Sequence, residues 1–268
     1  MDHCIRMALP LTLLALLAPT AAAEPFDADL YARILEHHSR VVDDVARVRV
    51  DYRGLADSPD WSRLLENLAR TEPSRLGSRA EKLAFWINAY NILAMRLVAA
   101  NYPVAGIREI GSLLRPVWKR EAGVVGGRTV TLAWIEHDVL RPMGEPRIHV
   151  ALVCASVSCP ALRREPWRGE LLEQQFDDSL RRWLADPEKG LRIDVAKRTL
   201  LLSRVFDWFE EDFEPAGGVL AFIAPYLDAG SRAWLDRNPR PRIRYLDYDW
   251  SLNDLGSRAQ GAGSSRRT

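Results

Sequence analysis

The spacing of apolar residues predicts the first elements of the chain. Apolar positions in 27–42 recur every three or four residues, which predicts a helix. Apolar and charged residues alternate over 48–52, which predicts a short strand. Ser58-Pro59 then precedes a run with helical spacing that continues to Leu68, and proline is favoured at the first position of a helix. The chain therefore opens with helices around a short strand.

The clearest element is a long helix predicted over 79–101. Ser78 and Glu81 have the spacing of a capping box, in which each side chain satisfies a backbone N–H group at the start of a helix. Pro103 follows the last predicted turn and marks its end. The helix is apolar on nearly all sides, so we expect it to be central and buried.

The rest of the chain alternates short helices with hairpins. Gly126-Gly127 is the predicted turn of a hairpin over 117–131. The apolar run 148–153, interrupted only by His149, predicts a buried central strand. The other predicted elements are a hairpin over 191–203, a last strand over 242–248, and helices over 131–140, 170–185, 206–213 and 218–227. This order predicts a single α+β domain, with a largely antiparallel sheet packed by several helices around helix 79–101.

The two ends of the chain differ from the middle. Residues 1–23 have a positive charge at Arg6, the apolar run 7–17 and small residues before a cleavage point after Ala23, which together predict a secretory signal peptide although Asp2 is unfavourable there. The predicted globular domain is 24–255, and the Gly-, Ser- and Arg-rich segment 256–268 is a predicted disordered tail. The predicted location is periplasmic or secreted, with no transmembrane segment in the mature chain.

Composition narrows the function. The chain has 268 residues, 47% hydrophobic and 27% charged, which excludes disorder along the whole chain. Its 37 basic and 36 acidic residues give a net charge of +1. A nucleic-acid-binding protein usually shows a clear basic excess, so we predict no nucleic-acid partner. The expected partner is a small molecule or a component of the cell envelope.

The segment after residue 147 concentrates candidate chemistry. It carries His149, Cys154, Ser156, Ser158 and Cys159 at the end of the predicted strand and in the loop that follows. A thiol becomes a nucleophile when a cation or a helix start lowers its pKa. In a straight strand, His149 and Cys154 would lie on opposite faces. Three interpretations stay open: a structural disulfide between the cysteines, a catalytic thiol with His149 as its base, and incidental free cysteines.

The cysteine and histidine spacings predict no cofactor. Four residues separate Cys154 and Cys159, which differs from the two-residue spacing of redox motifs. The histidines lack the spacing of zinc ligands, so no metal site is predicted.

Seven further polar or aromatic side chains outside this segment are candidate binding residues, and five of them lie on predicted helices. Asn88 and Asn91 lie on one face of the long helix, where they either join the helix to neighbouring loops or donate hydrogen bonds to an oxyanion. Glu136, His137 and Arg141 lie on the short helix that follows the first hairpin.

The end of the domain is unusually polar and aromatic. Trp250 and Asn253 lie there, either packed over the core or in contact with a ligand. The sequence does not separate these alternatives.

Several blocks resemble the family of uncharacterised proteins DUF547 over roughly residues 75 to 253. The blocks are 84–91, Ile135-Glu136-His137 with Arg141, 149–160, Asp207-Trp208-Phe209 with Asp212-Phe213, and 249–253. The resemblance implies an α+β domain that is common in exported bacterial proteins, and it implies no established activity. The family's recurrent positions fall on Cys154, Cys159, His149, Asn88 and Asn91.

Two hypotheses from different classes follow. In the first, an exported enzyme hydrolyses or transfers the acyl group of a small amide or thioester, with Cys154 or Cys159 as nucleophile and Asn88 or Asn91 as oxyanion donor. In the second, a non-catalytic module of the cell envelope binds a ligand or partner, and a Cys154–Cys159 disulfide stiffens its loop. The sequence leaves the choice between them open.

Overall fold

The computed structural model describes residues 24–256. The predicted signal peptide, 1–23, and the predicted tail beyond residue 256 lie outside the described residues. Within the described part, helices and small sheets mix along the chain, which confirms the α+β class.

Ten α-helices of very different length occur between residues 24 and 256. They are α1 Ala28–His38, α2 Tyr52–Ala56, α3 Pro59–Arg70, α4 Arg79–Ala100, α5 Ile148–Ala151, α6 Leu172–Leu184, α7 Val205–Trp208, α8 Glu210–Phe213, α9 Val219–Ile223 and α10 Ala229–Arg237. A π-helical turn, Trp134–Leu140, starts where the Thr131 hydroxyl accepts a hydrogen bond from the Trp134 N–H at 3.0 Å. The predicted helix after Thr131 is therefore present in a widened form.

The strands form three separate small sheets instead of the one sheet that the sequence predicts. The strands are β1 Ser39–Val41, β2 Val48–Val50, β3 Glu121–Val125, β4 Arg128–Thr131, β5 Leu191–Asp194, β6 Thr199–Leu202 and β7 Arg242–Tyr245. β1 pairs with β2, β3 with β4, and β5 with β6, all antiparallel, whereas β7 pairs with β6 in parallel. Gly126 and Gly127 both have positive φ at the β3–β4 turn, a conformation that costs glycine little.

Helix α4 is the centre of the fold. Its capping box is complete, with the Ser78 hydroxyl accepting from the Glu81 N–H and the Glu81 carboxylate accepting from the Ser78 N–H. The helix is long and apolar enough to cross a membrane, but 89% of its most apolar stretch of 18 residues is buried inside the fold. This burial identifies α4 as a core helix, which confirms the sequence prediction.

The predicted central strand over 148–153 is wrong. Residues Ile148–Ala151 form the short helix α5, and only from Leu152 does the backbone become extended. An apolar run that is buried on every side carries neither helical nor strand periodicity, so its pattern does not separate the two. Asn91 of α4 holds this helix end, because its amide donates to the Ala151 carbonyl and accepts from the Val153 N–H.

Candidate functional site

A pocket of about 420 Å³ collects most of the candidate side chains. Its volume lies in the range of small-molecule sites. The predicted site residues that line it are Glu136, His137, His149, Cys154, Cys159 and Trp250. His149 lies on α5 and Cys154 in the loop after it, so the two reach one pocket despite a spacing that a straight strand would place on opposite faces.

Cys154 lies at the centre of a hydrogen-bonded group of four side chains. Its Sγ is 3.0 Å from Cys159 Sγ, 3.1 Å from Ser156 Oγ and 3.3 Å from the Tyr248 hydroxyl. Both cysteines are free thiols, and Cys159 is buried while Cys154 is only partly covered. The loop reverses at Ala155, whose φ is +60°, and this reversal brings residue 159 back towards residue 154.

The pKa values of the two thiols are shifted in opposite directions. The hydrogen bond from Cys159, helped by Ser156 and Tyr248, lowers the pKa of Cys154 to about 6 against the opposing effect of burial. Burial and the hydrogen bond with Cys154 raise the pKa of Cys159 well above its ordinary value. At neutral pH, Cys154 is therefore the thiolate, and the Cys159 S–H group donates to it.

Lys189 connects the loop between the two cysteines to the β1–β2 connection. Its Nζ donates to the carbonyls of Val45 and Ala46 in the β1–β2 connection and to the carbonyl of Val157 in the thiol loop, at 3.0 to 3.1 Å. Burial lowers the pKa of Lys189 to about 8, while Cys159 opposes this shift. A largely cationic group thus lies within electrostatic reach of the two sulfurs.

A second polar group adjoins the pocket through His149 and joins three segments of the chain. His149 Nε2 lies 2.6 Å from Asp212 Oδ2, and Arg141 binds both oxygens of the same carboxylate at 2.7 and 2.8 Å. The His149 ring also stacks on Phe209, with ring centroids 4.1 Å apart. The described residues contain no hydrogen bond between His149 and either thiol.

Electrostatics fix the protonation of this second group. Burial raises the pKa of Asp212, but hydrogen bonds from His149 and Arg141 outweigh it and hold the pKa well below its usual range. Burial lowers the pKa of His149 more than Asp212 raises it, so the imidazole is neutral near pH 7. Because the ionised Asp212 accepts from Nε2–H, the Nδ1 atom of His149 is left as the basic nitrogen.

Glu136 is a pocket carboxyl that is partly protonated near neutral pH. Burial raises its pKa to about 7, with Cys154 and Asp212 adding to the rise, while a hydrogen bond from Tyr90 opposes it. Its neighbour His137 is exposed and contacts Arg141 Nη1 through Nδ1 at 3.2 Å, so it lies at the rim. A carboxyl that titrates near neutrality beside a thiolate is suited to give and take a proton.

Aromatic rings form the apolar wall. Trp208 stacks on Trp250 with centroids 5.5 Å apart, and Tyr248 lies 4.8 Å from Trp208. Trp208 remains 44% exposed, and Lys119 lines the same pocket. This wall is suited to the apolar part of a small ligand, with a cation available for an acidic group.

Six predicted site residues lie outside the pocket lining. Arg141 and Ser156 contact lining residues, His137 and Cys154 respectively. The other four bind elsewhere. Asn88 and Asn91 each use their amides on backbone groups, Asn88 on both the N–H and the C=O of Trp167. Ser158 Oγ accepts from the Asp249 N–H, and Asn253 Oδ1 accepts from the Tyr52 hydroxyl. These contacts correspond to the structural alternative that the sequence left open, in which the side chains tie helices to loops.

The sequence predicts no site role for Asp212, Tyr248, Tyr90 or Phe209. All four fall in or beside blocks that carry the family resemblance, namely 84–91, 207–213 and 249–253, and that proximity is the signal that was present. Their chemistry depends on distant partners, since Asp212 is 63 residues from His149 and Tyr248 is 94 from Cys154.

A larger cleft, of about 620 Å³, lies elsewhere on the surface. Its lining holds neither a thiol nor an imidazole. Three of its four arginines are paired with carboxylates, for example Arg47 with Asp186 at 2.7 Å and Arg163 with Asp178 at 2.6 Å. In the part of the chain that the structure covers, no group of three or more His, Cys, Asp or Glu side chains is arranged to hold a metal ion. The thiol pocket is therefore the better candidate site.

Residues 73–184 match the DUF547 family. The family is described only as a protein of unknown function, and the match confirms the resemblance over this segment. Glu136, His149 and both pocket cysteines fall inside the DUF547 match, whereas Asp212 and Tyr248 lie beyond its end. No curated protein and no solved structure matches the chain.

Proposed function

We propose that the pocket is the active site of a cysteine-dependent hydrolase or acyl transferase that acts on a small amide or thioester. The observation that carries the proposal is Cys154, a partly exposed thiol whose three side-chain partners lower its pKa to about 6. A thiolate that is already formed at neutral pH attacks a carbonyl carbon without a base to remove its proton first.

The groups around Cys154 match the charges that acyl transfer develops. Attack on the carbonyl carbon places negative charge on the carbonyl oxygen. The hydroxyl groups of Ser156 and Tyr248, and the Ser156 N–H that already contacts the sulfur, are the proposed donors to that oxygen. They replace Asn88 and Asn91, whose amides are occupied by backbone groups.

Glu136 is the proposed acid and base. With a pKa of about 7 it is partly protonated at neutral pH, so it protonates the leaving amine or thiolate and then removes a proton from the incoming water or acceptor. His149 is fixed by Asp212 and Arg141 and has its basic Nδ1 left for a polar group of the ligand. The tryptophan wall receives the apolar part of the acyl or leaving group.

The decisive experiment detects the acyl-enzyme. The full chain is kept in reductant, mixed with phenyl thioacetate, digested with trypsin and weighed. Cleavage after Arg147 and Arg163 releases one peptide that holds both Cys154 and Cys159, while Cys4 falls in another. We expect an acetyl group on this peptide that is absent in Cys154→Ser and accumulates in Glu136→Gln. The exposed-residue variant Glu66→Gln is the matched control.

Two results would overturn this proposal. One is an acetylation rate of Cys154 in the folded chain that equals the rate in the urea-unfolded chain. The other is hydrolysis of the thioester at the wild-type rate by Cys154→Ser. In either case the non-catalytic binding module becomes the better explanation, and melting shifts with small carboxylates and amides would be its test.

The proposal keeps the predicted export of the protein. The signal peptide, cleaved after Ala23, lies outside the described residues, so this step is supported by the sequence alone. The mass of the protein recovered from the periplasmic or culture fraction tests it, and a mature chain that starts at Glu24 is the expected result.

A further inference from the structure

We propose that Cys154 and Cys159 are also a reversible dithiol–disulfide couple that exchanges with the disulfide of a small molecule entering the pocket. The activity shares its nucleophile with the proposed acyl chemistry, but it requires no acyl transfer. The observation that carries it is the contact between the two free sulfurs, 3.0 Å apart at one end of the pocket.

Exposure assigns different roles to the two thiols. Cys154 is partly exposed and lines the pocket, so an incoming disulfide reaches its sulfur. Cys159 is only 3% exposed, and its sulfur also accepts a hydrogen bond from the Cys154 N–H at 2.9 Å. We therefore assign the attacking role to Cys154 and the resolving role to Cys159.

The exchange balances without a further oxidant. The Cys154 thiolate attacks one sulfur of the substrate RS–SR, a new S–S bond forms to Cys154, and the substrate S–S bond breaks to release RS⁻. The Cys159 thiol then loses its proton to that released thiolate or to water, and its sulfur attacks Cys154 Sγ. The second RS⁻ leaves, the protein holds the disulfide, and the substrate has been reduced to two thiols.

The loop is built to let Cys159 complete the second step. A disulfide needs the two sulfurs to approach by about 1 Å from their present contact. Val157 lies between the two cysteines in the chain, and its carbonyl accepts a hydrogen bond from Lys189. The positive charge of Lys189 lies within electrostatic reach of Cys159 and favours ionisation of the resolving thiol. The Ser158 hydroxyl and the Val157 N–H fix the same loop to residues 249–251.

This assignment goes against the spacing rule that the sequence suggests. Redox pairs commonly have two intervening residues, and here there are four. The positive φ at Ala155 and the hydrogen bond from the Cys159 N–H to the Ser156 carbonyl, at 3.2 Å, compensate by folding the longer loop back on itself. The distance between the sulfurs, and not the number of residues between them, decides whether exchange takes place.

The test uses the reduced full chain and 2-hydroxyethyl disulfide as the probe. After quenching with acid and an alkylating agent, the tryptic peptide that holds both pocket cysteines is weighed. In the wild type we expect a peptide lighter by two hydrogen atoms, without the probe. In Cys159→Ser we expect the same peptide with one hydroxyethylthio group on residue 154. In Cys154→Ser we expect labelling of Cys159 at least about tenfold slower than in the urea-unfolded chain.

Three results would contradict the couple. They are a wild-type peptide that keeps both thiols, a wild-type peptide that accumulates the mixed disulfide without resolving it, and reaction of Cys154 no faster than in the unfolded chain. The wild-type result alone decides the matter should Cys159→Ser fail to fold. Because the acetylation experiment is run in reductant and adds a different mass, either proposal can fail while the other stands.

Discussion

His149 Nε2 lies 2.6 Å from Asp212 Oδ2, although 63 residues separate them in the chain. Arg141 binds the same carboxylate with two nitrogens, so one partly buried anion holds both the residue that follows the π-helical turn and a residue of α5. The Asp212 side chain therefore connects three segments beside the pocket: α5, α8 and the turn that contains Arg141. Removing that charge leaves a guanidinium and an imidazole without their partner.

Asp212→Asn is expected to lower the free energy of unfolding, because His149 and Arg141 lose their charged partner. The loss should be about 1–3 kcal/mol, since the carboxylate is only partly shielded from water. The folded state holds the pKa of Asp212 below its unfolded value. Its stabilising contribution is therefore present above about pH 4 and is lost as the pH falls further. Urea unfolding at pH 7 and pH 3 measures this, and the loss in the variant should shrink at the lower pH.

The matched control for this prediction is Asp207→Asn. Asp207 pairs with Arg204 at 3.2 Å, but both side chains are well exposed, so a change within about 0.5 kcal/mol is expected. Equal effects of the two substitutions would mean that Asp212 is an ordinary surface ion pair and not the centre of the pocket wall.

Asn91→Ala tests whether the asparagines of α4 are structural. The substitution leaves the Ala151 carbonyl and the Val153 N–H without their buried partner, which should cost about 2–4 kcal/mol. Asn101→Ala, at the end of the same helix, removes one bond to the Leu97 carbonyl near the surface and should cost about 1 kcal/mol or less. Urea unfolding of both variants measures the difference. A stable Asn91→Ala chain that had lost acyl transfer would favour the oxyanion role instead.

Local signals in the sequence were enough for the elements with clear ends. The capping box of α4 and the Gly126-Gly127 turn are interactions between near neighbours, so the residue pattern contains them. The segment 148–153 was assigned wrongly because a fully buried apolar run satisfies a helix and a strand equally well.

The sequence predicted those reactive site residues that are neighbours in the chain. Cys154, Cys159 and His149 are reactive residue types close together in the chain, and the structure brings all three to one pocket. Tyr248 lines that pocket, and Asp212 binds its His149, only through tertiary contacts across many residues. A sequence pattern contains the first kind of neighbour and not the second.

Glu136→Gln is expected to stabilise the protein at alkaline pH. Burial raises the pKa of Glu136 to about 7 in the folded state, so between about pH 4.5 and 7 the unfolded chain releases a proton that the folded chain still holds. Stability from this group therefore falls as the pH rises through that window. At pH 8 the glutamine variant should be more stable than the wild type by on the order of 2 kcal/mol, and at pH 4 the gain should vanish.

Urea unfolding at pH 4 and pH 8 measures this difference, with Glu66→Gln as the exposed control on α3. That control should change little at either pH, because its side chain is 67% exposed. A Glu136→Gln variant with the same gain at both pH values would show that a change in packing, and not titration, is responsible.

The acidity of Cys154 predicts how fast it is alkylated at different pH. A thiolate with a pKa of about 6 should react with iodoacetamide at a rate that rises with a midpoint near pH 6, while the unfolded chain has a midpoint near the ordinary value of about 8.5. Because the folded pKa is the lower one, the folded state gains stability as the pH rises between these two values. Peptide mass spectrometry after short pulses of reagent gives the rate at Cys154 itself.

Removing the donors should move that midpoint upward. Tyr248→Phe and Ser156→Ala each delete one hydroxyl within 3.3 Å of the sulfur, so each should raise the midpoint by about half a unit to one unit. Tyr245→Phe, in β7, is the matched control, since that ring contacts Arg204 and not the thiols. If the Tyr248 and Ser156 variants keep the wild-type midpoint, the thiolate owes its stability to Cys159 alone, and Cys159→Ala should then restore an ordinary thiol.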